Sequence, residues 1–120
     1  MLAFGATGIL TRDQIRTVAA YVQSLSGLAS PDEGTREEGA TLFAENCASC
    51  HGENATGDTS LGAPDLTDDF WIYGGDAATL FETIHDGRRG WMPHMEGRLT
   101  EAERKMLAVY VLAVLPGKQQ

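Results

Sequence analysis

The sequence predicts an all-α fold, and three observations carry that expectation. Helix start signals recur along the chain, each followed by apolar residues at helical spacing. No segment reads convincingly as a strand. The stretches between the periodic segments are rich in Gly, Asn, Asp and Pro, the residues of turns and loops.

Residues 1–10 are small, glycine-rich and irregular. Thr11 and Gln14 then form a capping box, in which the Thr hydroxyl accepts from the third helical amide and the Gln side chain reaches back. Ile15, Val18, Ala19, Val22 and Leu25 make one apolar face, and Gly27 is the stop. Ser30, Pro31 and Glu33 are expected to open a second helix as cap, first-turn proline and early acid. Its inner face carries Gly39, Leu42, Phe43 and Cys47, so it runs straight into the next motif. Residues 52–66 read as a loop, and Thr67 to Tyr73 as a short helix ending before Gly74-Gly75. Asp76 caps a further helix with Ala77, Leu80, Phe81 and Ile84 inward and Gly87 as its stop. After a loop to Arg98, Thr100 and Glu103 form another capping box. They open a last helix expected to reach about Leu115, ahead of Pro116-Gly117. Leu10-Thr11, Gln14 and Tyr21-Val22 have counterparts at one common offset in Leu99-Thr100, Glu103 and Tyr110-Val111. Either two amphipathic helices are alike by chance, or residues 1–27 are the tail of a preceding, related domain.

The motif at the centre is Cys47-Ala48-Ser49-Cys50-His51. Two cysteines three apart with a histidine directly after form the c-type haem attachment signature. The thiols add across the two vinyl groups on one edge of the porphyrin, and the next residue gives the iron an imidazole nitrogen. A thioredoxin-like pair would follow a strand, and a zinc site would want more soft ligands than the two cysteines the chain has.

Bulk composition narrows the partners. A chain of 120 residues is one domain with room for an appendage. A net charge of −8 argues against nucleic acid and anionic lipid, and favours a macromolecular partner with a basic face. The run Met106 to Leu115 is too short to span a bilayer. The first ten residues lack the basic start and apolar stretch of a signal peptide. Because haem attachment takes place outside the cytoplasm, the chain is expected to be a mature or excised piece of a longer one.

An electron-transfer haem needs a sixth ligand, and the loop before the last helix offers Met92, His94 and Met95. Met92 is favoured because Pro93 restricts the backbone beside it. His94 would give a bis-histidine iron of lower potential, and Met95 is the near competitor. His85, at a helix end, is read as an exposed histidine favouring the helix dipole. The proximal imidazole of His51 needs an acceptor for its other nitrogen, and the carbonyl of Pro64 is the candidate. Trp71, Tyr73, Arg88 and Arg89 are candidate donors to the haem propionates. Core packing for Trp71 and a solvated face for the arginines are the alternatives.

Together these residues resemble class I cytochrome c over about Asp32 to Leu115. The resemblance rests on the attachment motif, on Pro64 in Gly62-Ala63-Pro64, on Met92-Pro93 and on a terminal helix. It implies a crossing of the first and last helices of the haem domain through Gly39 and Phe43 on one side and Leu107 and Tyr110 on the other. The stretches Asn46 to Gly52, Gly62 to Asp68, Trp71 to Gly75 and Gly87-Arg88 further resemble the second haem domain of the dihaem cytochrome c subunit (FixP/CcoP type) of cbb3-type oxidases. Met1-Leu2-Ala3-Phe4-Gly5 and the helix ending Tyr21 to Gly27 look like the end of that subunit's first haem domain, with Met1 at the place of its axial methionine. The chain departs from the subunit in having one attachment motif and no membrane anchor.

The resemblance implies a class I cytochrome c fold around one covalent haem, over residues 30–120, preceded by a helical remnant over 1–29. It implies one-electron transfer with His51 and Met92 as axial ligands, in a periplasmic respiratory chain. Oxidase subunits and a donor with a basic docking face would be partners, and the chain itself would not be an enzyme. The apolar face of the helix in residues 1–27 must be covered, by the haem domain or by a second copy in a homodimer. The competing function is a haem-based sensor or gas-binding module, which requires an open sixth position.

Overall fold

The structure, a computed structural model, describes residues 1–114. Its helices are α1 (Arg12–Leu25), α2 (Glu33–Asn46), α3 (Ala48–His51), α4 (Ala77–Asp86) and α5 (Glu101–Val114), and the described residues contain no strand beyond an isolated bridge between Asp58 and Ala63. The end of the last helix at Leu115 and the stop at Pro116-Gly117 lie outside the described residues. Residues 1–89 form one compact unit and a second begins at Gly90.

The first unit is built on α1. Thr11 caps it with both bonds of the capping box: Gln14 N donates to Thr11 Oγ1 (3.3 Å) and Thr11 N donates to Gln14 Oε1 (2.9 Å). Ile15, Val18, Ala19 and Val22 are buried, and with Leu10, Leu42, Phe43, Ala55, Leu80 and Ile84 they form the core between α1, α2 and α4. Burying side chains of this size contributes about 1.5–3 kcal/mol each, which is why a helix with a full apolar face is tied down here. Residues before α1 are tied to the end of α4: Phe4 N donates to the Ile84 carbonyl (3.0 Å), and Gly5 N and Ala6 N to that of His85 (3.1 and 3.0 Å).

Three details differ from the sequence expectation. α2 is capped by Asp32, not Ser30: its carboxylate accepts from Thr35 N (3.0 Å) and Thr35 Oγ1 (2.8 Å), bonds that hold it below its usual pKa. An aspartate two residues on makes the stronger cap because its charge meets the positive end of the helix. Residues 67–73 form no helix. Asp65 Oδ1 accepts from Thr67 N (2.7 Å) and Asp68 Oδ1 from Phe70 N (2.9 Å), so side chains take the amides that a helical turn would need. His85 is half-buried, stacked on Phe81 at 5.5 Å and bonded to Asp86 at 2.7 Å.

The largest difference is the partner of Gly39. A Cβ there would stand 2.5 Å from Tyr21 Cβ and 3.0 Å from the Thr17 carbonyl oxygen, so the crossing through Gly39 is made by α1. Tyr21 and Phe43 rings lie 5.7 Å apart across it. Tyr21 therefore stands where Tyr110 was expected, because α1 carries the same pattern and lies beside α2 in the chain.

In the second unit α5 is capped as expected. Glu103 N donates to Thr100 Oγ1 (3.3 Å), and Thr100 N donates to Glu103 Oε2 (2.8 Å). Its apolar side chains Met106, Leu107, Val109, Tyr110, Val111 and Leu112 are exposed. No helix among the described residues is long and apolar enough to cross a membrane.

Candidate cofactor-attachment site

α2 ends at Asn46, Cys47 turns the chain, and α3 presents Cys50 and His51 one turn on. Cys50 is exposed and Cys47 half-buried between the ends of the two helices. Burial, and then the charge of Cys50, pushes the Cys47 thiol up to about 11. Neither cysteine is in a disulfide, and among the described residues none of the further ligands that a zinc site would need is gathered around them.

His51 Nδ1 lies 3.0 Å from the Pro64 carbonyl oxygen. A carbonyl can only accept, so Nδ1 carries the proton and Nε2 presents a free lone pair. The loop from Gly52 to Leu66 is folded to place that carbonyl. Gly57 N donates to the His51 carbonyl (2.8 Å), Asp58 and Ala63 exchange two bonds (3.0 and 2.9 Å), and Leu66 N donates to the Ala55 carbonyl (2.8 Å). Gly57 has φ +82°, and a Cβ on it would meet the Ala63 carbonyl oxygen at 2.5 Å and Pro64 C at 2.6 Å, so only glycine fits.

Further along, Trp71 is half-buried and its Nε1–H has no partner. Tyr73 is exposed with the Arg88 guanidinium 4.5 Å from its ring centroid, and Arg88 Nε donates to Thr83 Oγ1 (3.0 Å). Arg89 is exposed. Leu61, Phe70 and Ile72 also turn large apolar side chains outward. The first unit thus brings together Cys47, Cys50, His51 and Pro64, and separately Tyr73 and Arg88. Met92, His94 and Met95 lie in the unit that begins at Gly90. Met92 is 85% exposed, while Met95 is half-buried and its carbonyl accepts from Arg98 N and Leu99 N.

Two supporting residues were not singled out from the sequence. Gln23 Nε2 donates to the Gly75 carbonyl (2.7 Å), and Leu28 packs 2.6 Å from where a Gly75 Cβ would be, beside Trp71. Both come from α1 or its exit, which sequence reading assigned to another domain. The spacing of Gln23 on the helix, one residue beyond the buried Val22, was the only available signal.

The chain matches the family model described as cytochrome c oxidase, cbb3-type, subunit III over residues 34–111. It belongs to that family. A cbb3-type cytochrome c oxidase subunit FixP from Bradyrhizobium sp. is 53% identical over 118 residues, covering 98% of this chain and 41% of the relative. Subunits named CcoP from Cereibacter sphaeroides and Azospirillum brasilense are each 51% identical, over 111 and 122 residues, covering 92% and 98% of this chain. The chain spans about two fifths of the length of these curated relatives. Membership in a cytochrome c family implies a covalently attached c-type haem, and the donor set fits one. Two thiols and an imidazole with a free Nε2 stand on consecutive turns, and the unpartnered Trp71 N–H and outward Phe70 and Ile72 are groups a haem would satisfy.

Proposed function

We propose that this chain carries single electrons through one c-type haem within a cbb3-type oxidase, with His51 and Met92 as axial ligands. The observation that carries the reading is the His51–Pro64 contact directly after the two cysteines, which leaves Nε2 free for an iron and so supports His51 as the ligand. A bound c-type haem supplies an Fe(III)/Fe(II) couple, with no bond made or broken by the protein. Cys47 and Cys50 tether it as thioethers. His51 would hold Nε2 toward the metal, with the Pro64 carbonyl keeping the ring from turning. Trp71, Tyr73, Arg88 and Arg89 donate to propionates or screen their charge. Met92 gives a thioether sulfur, which favours the reduced iron relative to a second imidazole.

The names of the relatives support oxidase subunits as partners, and the net charge of −8 favours an electron donor with a basic docking face. A periplasmic location follows from the covalent haem. Residues 1–29 are the end of a preceding haem domain in a longer subunit, a reading supported by relatives whose match covers 98% of the chain and so takes in α1. Exchange of residues 1–27 between two copies would give a homodimer with the contacts that α1 makes here, and sedimentation would detect it.

The test is optical and chemical. In protein matured by a cytochrome c assembly system, the haem should survive acid-acetone extraction and add one haem mass. The oxidised protein should show the weak far-red band of sulfur-to-iron ligation. Met92→Ala should abolish that band and Met95→Ala should keep it. The opposite pattern would move the role to Met95. An oxidised spectrum with no sulfur band in the unmodified protein would favour a sensor or gas-binding module.

A further inference from the structure

The loop after the cysteines, residues 52–66, turns left-handed at Gly52, Ala55, Gly57 and Gly62. Ala55, at φ +59°, is the only non-glycine residue with positive φ among the described residues. Its Cβ crowds its own backbone there, which a glycine avoids. Ala55 is also 2% exposed, and among the described residues it is the only core residue that the chain contributes between Phe43 and Leu80. Both of its backbone polar groups are used. Ala55 N donates to the Gly52 carbonyl (3.0 Å), and the Ala55 carbonyl accepts from Leu66 N (2.8 Å). Leu66 packs against the same core. It stands two residues after Pro64, whose carbonyl oxygen lies 3.0 Å from His51 Nδ1.

We infer that Ala55 is the positioning residue for the imidazole of His51. Its buried methyl pins the first half of the loop to the core. Its left-handed backbone then gives the Leu66 amide its acceptor, and that bond fixes where the Pro64 carbonyl stands against Nδ1. A glycine at this place would take the same φ without crowding. It would also leave the loop unpinned and free to visit other conformations. A strained alanine persists here because the core and the two backbone bonds over-determine it. The consequence for the iron rests on the haem reading above. A firmly held acceptor raises the basicity of a ligating imidazole, which favours Fe(III), and a loose one shifts the balance toward Fe(II). Ala55 acts through Pro64 and His51 and makes no contact with the iron itself.

Hydrogen exchange at His51 Nδ1–H and at the Leu66 amide, read by NMR on the reduced, haem-loaded full chain, tests this. In Ala55→Gly both protons should exchange about tenfold faster, because the loop opens by itself while the helices stay closed. In the same variant the Fe(III)/Fe(II) balance against a fixed reference couple should move about threefold toward Fe(II). Ile84→Val is the comparison. It also removes one methyl from the core, but from α4, and should leave both readings unchanged whatever it does to the melting temperature. Exchange in Ala55→Gly as slow as in the unmodified chain overturns the inference. Equal acceleration in Ile84→Val overturns it too, since Ala55 would then act as any core residue does. Faster exchange with an unmoved iron balance overturns the positioning role. The exchange readings do not depend on the sixth ligand, so a missing far-red band beside the expected pattern counts against the Met92 assignment alone. Haem lost to acid-acetone counts against the haem reading, and exchange at the Leu66 amide still decides what Ala55 does for the loop.

Discussion

α1 and α5 are two helices of fourteen residues with the same threonine cap, the same tyrosine–valine pair and several shared apolar positions, and they end in different environments. α1 supplies four of the ten buried core residues, while α5 leaves its tyrosine and most of its apolar side chains exposed. The difference shows what an amphipathic pattern does and does not specify. It states that one face seeks cover, but the surface that covers it is decided elsewhere: for α1, by Gly39 in α2 and by Leu80 and Ile84 in α4.

The strongest way to break the comparison is to make α1 carry the residue that α5 has. Ile15→Arg buries a guanidinium with no partner, and leaving such a charge uncompensated costs on the order of 3–5 kcal/mol. The denaturation midpoint of the first unit should fall accordingly, and a midpoint within error of the unmodified protein would remove the role given to this position. Gly39→Ala should cost about 1–3 kcal/mol through overpacking against Tyr21. A double-mutant cycle locates the cost: Gly39→Ala should couple to Tyr21→Gly and not to Tyr110→Gly. Coupling to Tyr110 would restore the crossing expected from the family resemblance.

Smaller effects come from the caps. Thr11→Ala should lower the stability of the first unit by about 1 kcal/mol, and Thr100→Ala should loosen α5. Smallest is a difference in pH response. Glu103 is fully exposed, and the backbone and side-chain bonds from Thr100 hold its carboxyl below its ordinary value of 4.5. A depressed folded pKa contributes stability that is complete above the ordinary value and is lost as pH falls through the folded one. The cap of α5 should therefore weaken on acidification below that value, while the cap of α1, which uses neutral Gln14 at the equivalent place, should hold. Backbone chemical shifts across both helices between pH 6 and about 3 would show it, and Glu103→Gln should abolish the difference.

Much of this was readable in the sequence, and the exceptions have identifiable causes. Both capping boxes, the Asp76 cap of α4, and the run of α2 into the cysteines were legible because each depends on residues within one turn. The acceptor for His51 lies thirteen residues on, beyond one turn, but it sits on a loop whose turn residues are explicit. The start of α2 was misplaced because Ser30 and Asp32 are both competent caps, and only the three-dimensional turn shows which accepts. Residues 67–73 look helical by composition, but Asp65 and Asp68 bond their own following amides. The partner of Gly39 could not be read at all. Two helices fit it by pattern, and the choice between them depends on distant residues. The supports of Trp71 were missed for the related reason that Gln23 and Leu28 had been assigned to a remnant with no part in the site.

The contact between Tyr21 and Gly39 also has a consequence for the order of events as the chain folds. Tyr21 lies eighteen residues before Gly39, and Tyr110 lies seventy-one after it. By loop-closure entropy the longer connection costs about 1.2 kcal/mol more, and during synthesis the α1–α2 hairpin can close before α5 has been made. The first unit can therefore take its arrangement around α1 while the rest of the chain is still being made, and how long that arrangement lasts is set by its own unfolding rate.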